Sequence, residues 1–328
     1  MRALIRTDHS KPITYTFTHP PPTPTTHPTS YIIRTHTAGL TRGELAWPEA
    51  LRTAMPIPGY DFAGTIISCP KTTGFKPGDK VYGFTGTGLE GNAREVTVAL
   101  ESELGHKPAR LSWAEAAAVP LSALTAYQAL FVHGGLEPAF LENNSGRGEN
   151  AGKRVLVTAA SGSVGIWAAQ LARLAGVEVV GTCGPANVQF VGGLGADVVV
   201  LDYAETDVLA WVNEDREARG FDVVVDCVGG QTLSEAFKSV RRGGIVVGVA
   251  EPPDARRPGE GVEDGVRGIW FVVQPDGDQL GEVTALIEQG RCRVVVDSVF
   301  GLEQFRDAFE RVESGHARGR VVLQVALN

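Results

Sequence analysis

The chain has 328 residues, a formal net charge of −8 at pH 7 and 43% hydrophobic residues. This length and hydrophobic content are enough for two domains with sizeable cores. The acidic balance, with no basic stripe, argues against nucleic acid as a partner, and no apolar run is long enough to span a membrane. The first ten residues lack the apolar segment of a secretory signal, so we expect a cytoplasmic protein.

Residues 1–120 contain short runs in which apolar and polar residues alternate, separated by turns rich in Gly, Pro and Thr. Such alternation predicts half-buried strands, and several of them in succession are typical of an antiparallel, barrel-like domain. We interpret the Pro/Thr-rich stretch His19–Thr29 as a stiff surface loop rather than a docking segment. The alternating runs lie at residues 30–39, 61–68, 79–84 and 94–100.

The stretch Arg154–Gly176 predicts a strand, a tight turn and a helix in succession. Val155–Val157 is a continuous apolar run, as in a parallel strand buried on both faces, and helical spacing begins at Val164. In the turn between them, Gly162 and Gly165 allow a ligand to approach the backbone where the helix begins. Because unpaired N–H groups and the helix dipole attract an anion there, the turn predicts a pyrophosphate seat. The open alternative is a tight corner that binds nothing.

Four further strands are predicted after this helix, with helical patterns or polar turns between them. The alternation indicates a doubly wound parallel sheet, an α/β fold whose ligands lie beyond the carboxyl ends of its strands. The small residues Val228, Gly229 and Gly230 follow one of these strands at that same edge. The predicted strands cover residues 178–182, 198–201, 221–227 and 244–249.

Two helical patterns, each followed by an apolar strand pattern, occupy the C-terminal part of the chain. The helices are predicted over residues 276–290 and 302–315, and the strands over residues 292–300 and 319–326. A parallel sheet of six strands has no obvious place for two more. We therefore expect the C-terminal strands to return to the first domain.

Several segments spread along the chain match one family, in that family's order. They are IPGYDFAG (57–64), GFKPGDKVYGF (74–84), AAAVPLSALTAYQAL (116–130), VLVTAASGSVG (155–165), LGAD (194–197) and GRVVL (319–323). With these segments the chain resembles the medium-chain dehydrogenase/reductase superfamily, and within it the zinc-independent quinone oxidoreductase and enoyl reductase branch.

The resemblance implies a Rossmann doubly wound parallel sheet plus a GroES-like β-barrel catalytic domain. Residues 1–120, completed by 269–328, would form the GroES-like domain, and residues 121–268 the Rossmann dinucleotide-binding domain. The active site would lie in the cleft between them. The implied activity is that of an NADPH-dependent reductase, which transfers a hydride to a conjugated C=C or a quinone of a small molecule. The alternative is a non-catalytic NADPH-binding protein with a structural or redox-sensing role.

The zinc ligands of alcohol dehydrogenases are missing from the corresponding positions. Thr41 stands where the first Cys would be, and Gly59-Tyr60-Asp61 replaces Gly-His-Glu. The structural zinc lobe is reduced to residues 86–98, which contain no cysteine, and the four cysteines of the chain are too scattered for a cluster. A hydroxyl and a phenol are poor zinc ligands at neutral pH. We therefore predict a metal-free, zinc-independent protein.

Without a metal, hydrogen bonds must polarise the substrate. The candidate catalytic residues are Thr41, Glu44 and Tyr60. Two alternatives remain open: Thr41 and Glu44 form a Thr-x-x-Glu helix cap, or Tyr60 is a buried aromatic with a satisfied hydroxyl. Enoyl reductases of the branch often carry a tyrosine acid on the segment after Thr41. Here that segment offers other residues, among them Trp47, Leu51 and Arg52.

The predicted cofactor site follows from the turn and from the resemblance. The strand ending at Thr182 is followed by no acid that would select NAD by binding the ribose hydroxyls, which favours NADPH. Asn187 stands where a lysine is usual in the family, and Thr125 where a threonine lies near the nicotinamide. The expected cofactor-binding residues are Thr125, Ser161, Gly162, Ser163, Val164, Gly165, Thr182, Cys183, Asn187, Tyr203, Val228, Val249 and Phe271.

A last strand of the Rossmann sheet is predicted over residues 268–273, with the sequence GIWFVV. An apolar strand at the edge of a sheet favours pairing with a second copy of itself. We therefore expect a homodimer through this strand. The competing interpretation is that the long polar segment Glu251–Arg267 covers the edge.

Overall fold

The computed structural model describes residues 1–6, 10–47, 57–71, 74–86, 90–138, 140, 148–195 and 197–326. The strands are β1 (Ala3–Ile5), β2 (Thr14–Thr16), β3 (Tyr31–Leu40), β4 (Asp61–Ser68), β5 (Lys80–Phe84), β6 (Val96–Ala99), β7 (Leu104–His106), β8 (Arg154–Val157), β9 (Glu178–Cys183), β10 (Val198–Asp202), β11 (Phe221–Asp226), β12 (Val240–Gly248), β13 (Arg267–Trp270), β14 (Val296–Gly301) and β15 (Arg320–Gln324).

The α-helices are α1 (Trp113–Ala117), α2 (Pro120–Tyr127), α3 (Ser163–Leu174), α4 (Val188–Gly192), α5 (Val208–Glu214), α6 (Arg216–Arg219), α7 (Gly230–Ser239), α8 (Gly277–Glu288) and α9 (Phe305–Glu313). A π-helical segment, Gln128–His133, continues α2. No helix in the described part of the chain is long and apolar enough to cross a membrane.

The chain divides into two compact units. Unit 1 comprises Met1–Leu124 and Gln274–Asn328, and unit 2 comprises Thr125–Val273. The predicted fold class is confirmed, because one unit contains a mixed, largely antiparallel sheet and the other a parallel, doubly wound sheet.

Unit 1 is built on a sheet that, among its described residues, has seven strands in the order β14-β15-β3-β4-β5-β7, with β6 also paired to β3. The C-terminal strands therefore join the N-terminal ones, as predicted: β15 pairs antiparallel with β3 on one side and parallel with β14 on the other. Val321, Val322 and Leu323 of β15 are completely buried. A continuous apolar run is what a strand in the interior of a covered sheet requires.

The helix α9 packs on this sheet through one face. Its buried residues Phe305, Ala308, Phe309 and Val312 recur at helical spacing and belong to one core cluster with residues of β3 and β15. The predicted loop His19–Thr29 contains neither helix nor strand.

Unit 2 contains, within its described residues, a six-stranded sheet in the order β10-β9-β8-β11-β12-β13, in which every neighbouring pair is parallel. Because the strands are parallel, their carboxyl ends lie at one edge of the sheet. The residues at these ends are Val157, Cys183, Asp202, Asp226, Gly248 and Trp270.

Three predicted strand boundaries differ from the structure by three residues or more, and one of them is the start of β12, predicted at residue 244 and observed at Val240. The strand predicted over 268–273 ends at Trp270, because its partner β12 ends at Gly248, the residue paired with Trp270. Phe271 thus lies beyond the strand. The strand predicted over 292–300 begins only at Val296, because its partner β15 begins at Arg320, the residue paired with Val296.

Candidate functional site

The turn between β8 and α3 has the geometry that its small residues predicted. Ala159 has a φ of 50°, which is left-handed backbone that residues other than glycine rarely adopt. A Cβ placed on Gly165 would lie 2.8 Å from the Cα of Ala160 and even closer to the carbonyl oxygen of Ala159. The chain can therefore make this corner only with glycine at position 165.

The N-terminus of α3 carries no capping side chain. Gly162 is its N-cap residue and provides no side-chain hydrogen bond to the first turn. The first N–H groups of a helix have no partner within the helix and are left for other acceptors. The N-terminus of α7 differs, because Gly230 N–H donates to the Glu251 carboxylate, which Arg256 also binds at 3.0 and 3.2 Å. Of these two helix starts, α3 is the one open to an external anion.

The end of β9 is hydrogen-bonded to this turn. Thr182 is buried, and its hydroxyl accepts a hydrogen bond from the Ala159 N–H at 3.3 Å, while its carbonyl accepts from the Ala160 N–H at 2.8 Å. Cys183, the last residue of the strand, is paired in register with Asp202 of β10. The Asp202 carboxylate, which sequence reasoning missed, accepts from the Ala204 N–H of its own turn at 2.9 Å.

The other predicted cofactor residues of unit 2 follow strand ends. Tyr203 directly follows β10, is 65% exposed, and has its hydroxyl against Gly184. Val228 is half exposed after β11, and Val249 follows β12 with its N–H donating to the Asp226 carbonyl. Because these strands are parallel, the residues share one edge of the sheet. Phe271 directly follows β13, and its ring contacts the His133 ring with centroids 4.5 Å apart. Asn187 precedes α4, and Thr125 lies on α2.

Glu44 is a buried carboxyl group of unit 1 whose pKa is strongly raised. It lies buried in the 3-10 helix Glu44–Ala46, where its two carboxylate oxygens accept hydrogen bonds from the Thr41 N–H at 3.0 Å and the Gly59 N–H at 2.9 Å. Burial raises the pKa of Glu44 to about 7, against the lowering effects of these N–H groups and of Arg320. The carboxyl group therefore changes charge near neutral pH.

Thr41 forms only half of the helix cap that its spacing from Glu44 allowed. The Glu44 side chain reaches back to the Thr41 N–H, as in a capping box. The Thr41 hydroxyl instead accepts a hydrogen bond from Arg320 Nη2 at 2.8 Å. Backbone capping thus accounts for the Glu44 side chain but not for the Thr41 hydroxyl.

Tyr60 is held by a ring contact and by backbone hydrogen bonds, and the charge of Glu44 acts on its hydroxyl. Its ring is buried and contacts the Trp47 ring, with centroids 5.1 Å apart. Burial and then the Glu44 charge raise the pKa of Tyr60 to about 12, so the phenol keeps its proton at neutral pH. Its carbonyl accepts from the Thr85 N–H at 3.0 Å and from Asn92 Nδ2 at 2.7 Å.

Three buried residues of this region were not among the predicted site residues: Asp61, Asn92 and Arg320. Asp61 and Arg320 form an ion pair, and both lie in segments that carried the family resemblance. Leu51 and Arg52, which the sequence offered in place of a tyrosine acid, lie outside the described residues. Among the residues that are described, no group of three or more His, Cys, Asp and Glu side chains could hold a metal ion.

Comparisons with known proteins define the class. The family model "Alcohol dehydrogenase GroES-like domain" matches residues 27–127, and "Zinc-binding dehydrogenase" matches residues 194–323. A solved alcohol dehydrogenase superfamily protein from Novosphingobium aromaticivorans has the same fold, with a TM-score of 0.82, 24% identity, and coverage of 99% of this chain and 100% of that one.

The chain is 44% identical to the "Probable zinc-binding oxidoreductase, mitochondrial" of Arthroderma benhamiae, over 94% of this chain and 92% of that protein. It is 32% identical to a mitochondrial NAD(P)H oxidoreductase of Danio rerio, over 81% and 71%, and 32% identical to a chloroplastic quinone-oxidoreductase of Triphysaria versicolor, over 82% and 79%. The chain belongs to the medium-chain dehydrogenase/reductase superfamily. It is an oxidoreductase that uses a nicotinamide cofactor.

The expected cytoplasmic location is wrong. These relatives are mitochondrial or chloroplastic proteins, which points away from the cytoplasm. The expectation depended on a missing apolar segment, which is the mark of secretory signals. Organelle transit peptides are amphipathic and need no such segment, so the observation could not distinguish the compartments.

We predict that Ala159→Gly stabilises unit 2, because glycine adopts the left-handed φ of this position without the penalty that alanine bears. The expected gain in unfolding free energy is roughly 0.5–1 kcal/mol, measured by thermal denaturation of the purified protein. Gly165→Ala, at the same corner, should lower it by about 2 kcal/mol or more, because its methyl group meets backbone. An unchanged or lowered melting temperature for Ala159→Gly would contradict the strain argument.

Proposed function

We propose that this oxidoreductase is a zinc-independent, NADPH-dependent reductase that transfers a hydride to a conjugated C=C or a quinone of a small molecule. The observation that carries the proposal is the group of Thr41, Glu44 and Tyr60 in unit 1, in which Glu44 and Tyr60 are buried. It combines a protonated phenol with a carboxyl group that gains and loses its proton near pH 7. Reduction of such a substrate needs one hydride and one proton, and these residues are equipped for the proton.

The turn of unit 2 fits the cofactor. The uncapped N-terminus of α3 would bind the pyrophosphate through Ser161, Gly162, Ser163, Val164 and Gly165. The residues that follow the other strand ends would contact the remainder of the dinucleotide. The bound nicotinamide supplies the hydride, and we propose that Thr125 and Phe271 lie near it. The group at the far ribose would be bounded by Thr182, Cys183, Asn187 and Tyr203, and Val228 and Val249 would contact the molecule between these two ends.

Tyr60 is the group that we propose contacts the reacting substrate. As a hydride reaches one carbon of the conjugated system, negative charge grows on the carbonyl oxygen, and a phenol O–H can donate a hydrogen bond to it. The high pKa of Tyr60 keeps the phenol protonated throughout. Glu44 accepts a hydrogen bond from the N–H of Gly59, the residue before Tyr60. In this proposal Glu44 donates the proton that completes the product.

The surroundings of Thr41 support a reaction without zinc. The Thr41 oxygen occupies the position of a zinc-ligating cysteine in alcohol dehydrogenases, and here it accepts a hydrogen bond from the Arg320 guanidinium. A cation fixed at this distance repels a second cation at the same oxygen. One family model and one relative have zinc in their names, and the chelator assay below tests zinc independence.

The alternative function is a non-catalytic protein that binds NADPH in a structural or redox-sensing role. It would use the same turn of unit 2, and the group around Glu44 would then be structural. Turnover separates the two proposals, because only the first requires NADPH oxidation that depends on an added acceptor.

We predict that Tyr60→Phe lowers kcat by roughly 10²-fold, because it removes one hydrogen-bond donor from the developing charge. The assay is NADPH oxidation with a panel of quinones and conjugated carbonyls, with a zinc chelator present throughout. The affinity for NADPH should not change. Tyr31→Phe is the control, since that hydroxyl bonds to Glu101 at 3.0 Å, outside the candidate site.

Three other outcomes are informative. Unchanged kcat in Tyr60→Phe would assign Tyr60 to packing. Loss of wild-type activity with the chelator, together with stoichiometric zinc before treatment, would overturn zinc independence. NADPH binding without turnover across the panel would favour the non-catalytic alternative.

We predict that kcat/KM is higher with NADPH than with NADH, because β9 is followed by no acid that would repel a 2′-phosphate. Tyr203→Phe tests the proposed phosphate contact at an exposed position where folding is unaffected. It should lower kcat/KM for NADPH several-fold and leave the value for NADH unchanged. Equal or better use of NADH by the wild type would refute the preference.

We also propose a homodimer through residues 268–273. Among the described residues, β13 is one of the two edge strands of its sheet. Trp270 on this strand is 42% exposed, whereas Val266, just before the strand, is buried in the unit 2 core. Light scattering at micromolar concentration should give twice the mass of the chain, and Trp270→Lys should give the monomer. A wild-type protein that is monomeric under these conditions would exclude this dimer.

A further inference from the structure

Arg320 is the centre of a buried polar network that joins four segments of unit 1. Its Nη2 donates to the Thr41 hydroxyl at 2.8 Å and to Asp61 Oδ2, and its Nη1 donates to the Ser122 hydroxyl at 3.3 Å. Asp61 Oδ1 accepts from the Leu121 N–H at 2.7 Å. The guanidinium and the Asp61 carboxylate are both almost completely buried.

The geometry of the pair is unlike that of a purely stabilising ion pair. Arginine and a carboxylate usually bind through two parallel hydrogen bonds. Here Asp61 accepts from the backbone of α2 through one oxygen, and the buried Arg320 Nε has no hydrogen-bond partner among the described residues. A buried N–H without a hydrogen bond costs free energy. The guanidinium is therefore oriented towards Thr41 in place of a two-bond ion pair with Asp61.

This orientation changes what the Thr41 hydroxyl can do. Because its oxygen accepts from a cation, its own O–H becomes a stronger donor and is directed away from Arg320. A donor of this kind, near Glu44 and Tyr60, suits the polarisation of a substrate oxygen. We propose that Arg320 is a positioning residue for the reduction, which aims the Thr41 hydroxyl at the substrate and sets the charge environment of Glu44. This inference rests on the proposed function.

The charges around Glu44 support the second part of the proposal. Arg320 lowers the pKa of Glu44, and Asp61 raises it by a smaller amount. The other titratable groups nearby are Tyr60, Arg6, whose guanidinium bonds to the Leu45 carbonyl, and Glu313, which accepts from the Gly43 N–H. Of all these groups, only Arg320 touches Thr41 and also acts on Glu44.

The first experiment separates positioning from folding by means of Arg320→Lys, which keeps the charge and loses the planar fork. We expect kcat to fall roughly 10- to 100-fold with KM for NADPH unchanged. In a Thr41→Val background the same substitution should cause no further loss of kcat, because the hydroxyl it positions is gone. Arg311→Lys is the matched control and should keep wild-type kcat, because Arg311 forms a two-bond ion pair with Asp297 elsewhere in unit 1, at 2.8 and 2.6 Å.

A loss of kcat that is as large in the Thr41→Val background as in the wild-type background, in variants of lowered melting temperature, would assign Arg320 to folding alone. Unchanged kcat in Arg320→Lys would also overturn the proposal. Neither result affects the Tyr60→Phe test, so failure of this inference and failure of the proposed function remain distinguishable.

The second experiment needs no turnover. The protonated carboxyl of Glu44 is titrated by isotope-edited infrared spectroscopy, with Glu44→Gln as the blank. Asp61→Asn removes a negative neighbour and should move the titration midpoint below that of the wild type. Arg320→Met in the Asp61→Asn background, which leaves no unpaired buried charge, should move it back up. Midpoints that do not respond, or that move in the same direction, would show that the pair does not control Glu44.

Discussion

The ion pair between Asp61 and Arg320 is the interaction on which the candidate site of unit 1 depends. Asp61 lies on β4 and Arg320 on β15, and the pair is hydrogen-bonded to Thr41, directly after β3, and to Leu121 and Ser122 of α2. Loss of one partner would leave the other charged and buried, which is far more costly than the pair is stabilising. The value of the pair is therefore more in fixing a geometry than in adding net stability.

The two units handle charge in different ways. In unit 2 the helix α3 begins at the edge where the strands end, with a glycine N-cap that forms no side-chain hydrogen bond, and we propose that an anion binds there. Unit 1 buries charged groups of its own, among them Asp61 and Arg320, and burial raises the pKa of Glu44 to about 7. A nicotinamide enzyme needs both arrangements, one to hold a phosphate and the other to manage a proton.

The fold could be predicted from the sequence because its signals are local. Apolar alternation located the strand 61–68, the strand predicted over 178–182 is observed over 178–183, and the glycines of the β8–α3 turn indicated a tight corner. The contacts of Arg320 could not be found in this way, because 279 residues separate it from Thr41. For the same reason the sequence did not show that Glu251 accepts a hydrogen bond at the N-terminus of α7, because Glu251 lies 21 residues after Gly230. A spacing typical of a capping box predicted one bond of Glu44 correctly, but no local pattern could show that Arg320 takes the Thr41 hydroxyl.

The position of β15 determines when unit 1 can form during synthesis. This strand lies between β3 and β14, so the sheet lacks an interior member until Gln324, the last residue of β15, has been synthesised. All residues of unit 2 are made before Arg320, and domains generally fold as their sequence becomes complete. The strand β3 therefore remains without its partner β15 until all of unit 2 has been synthesised.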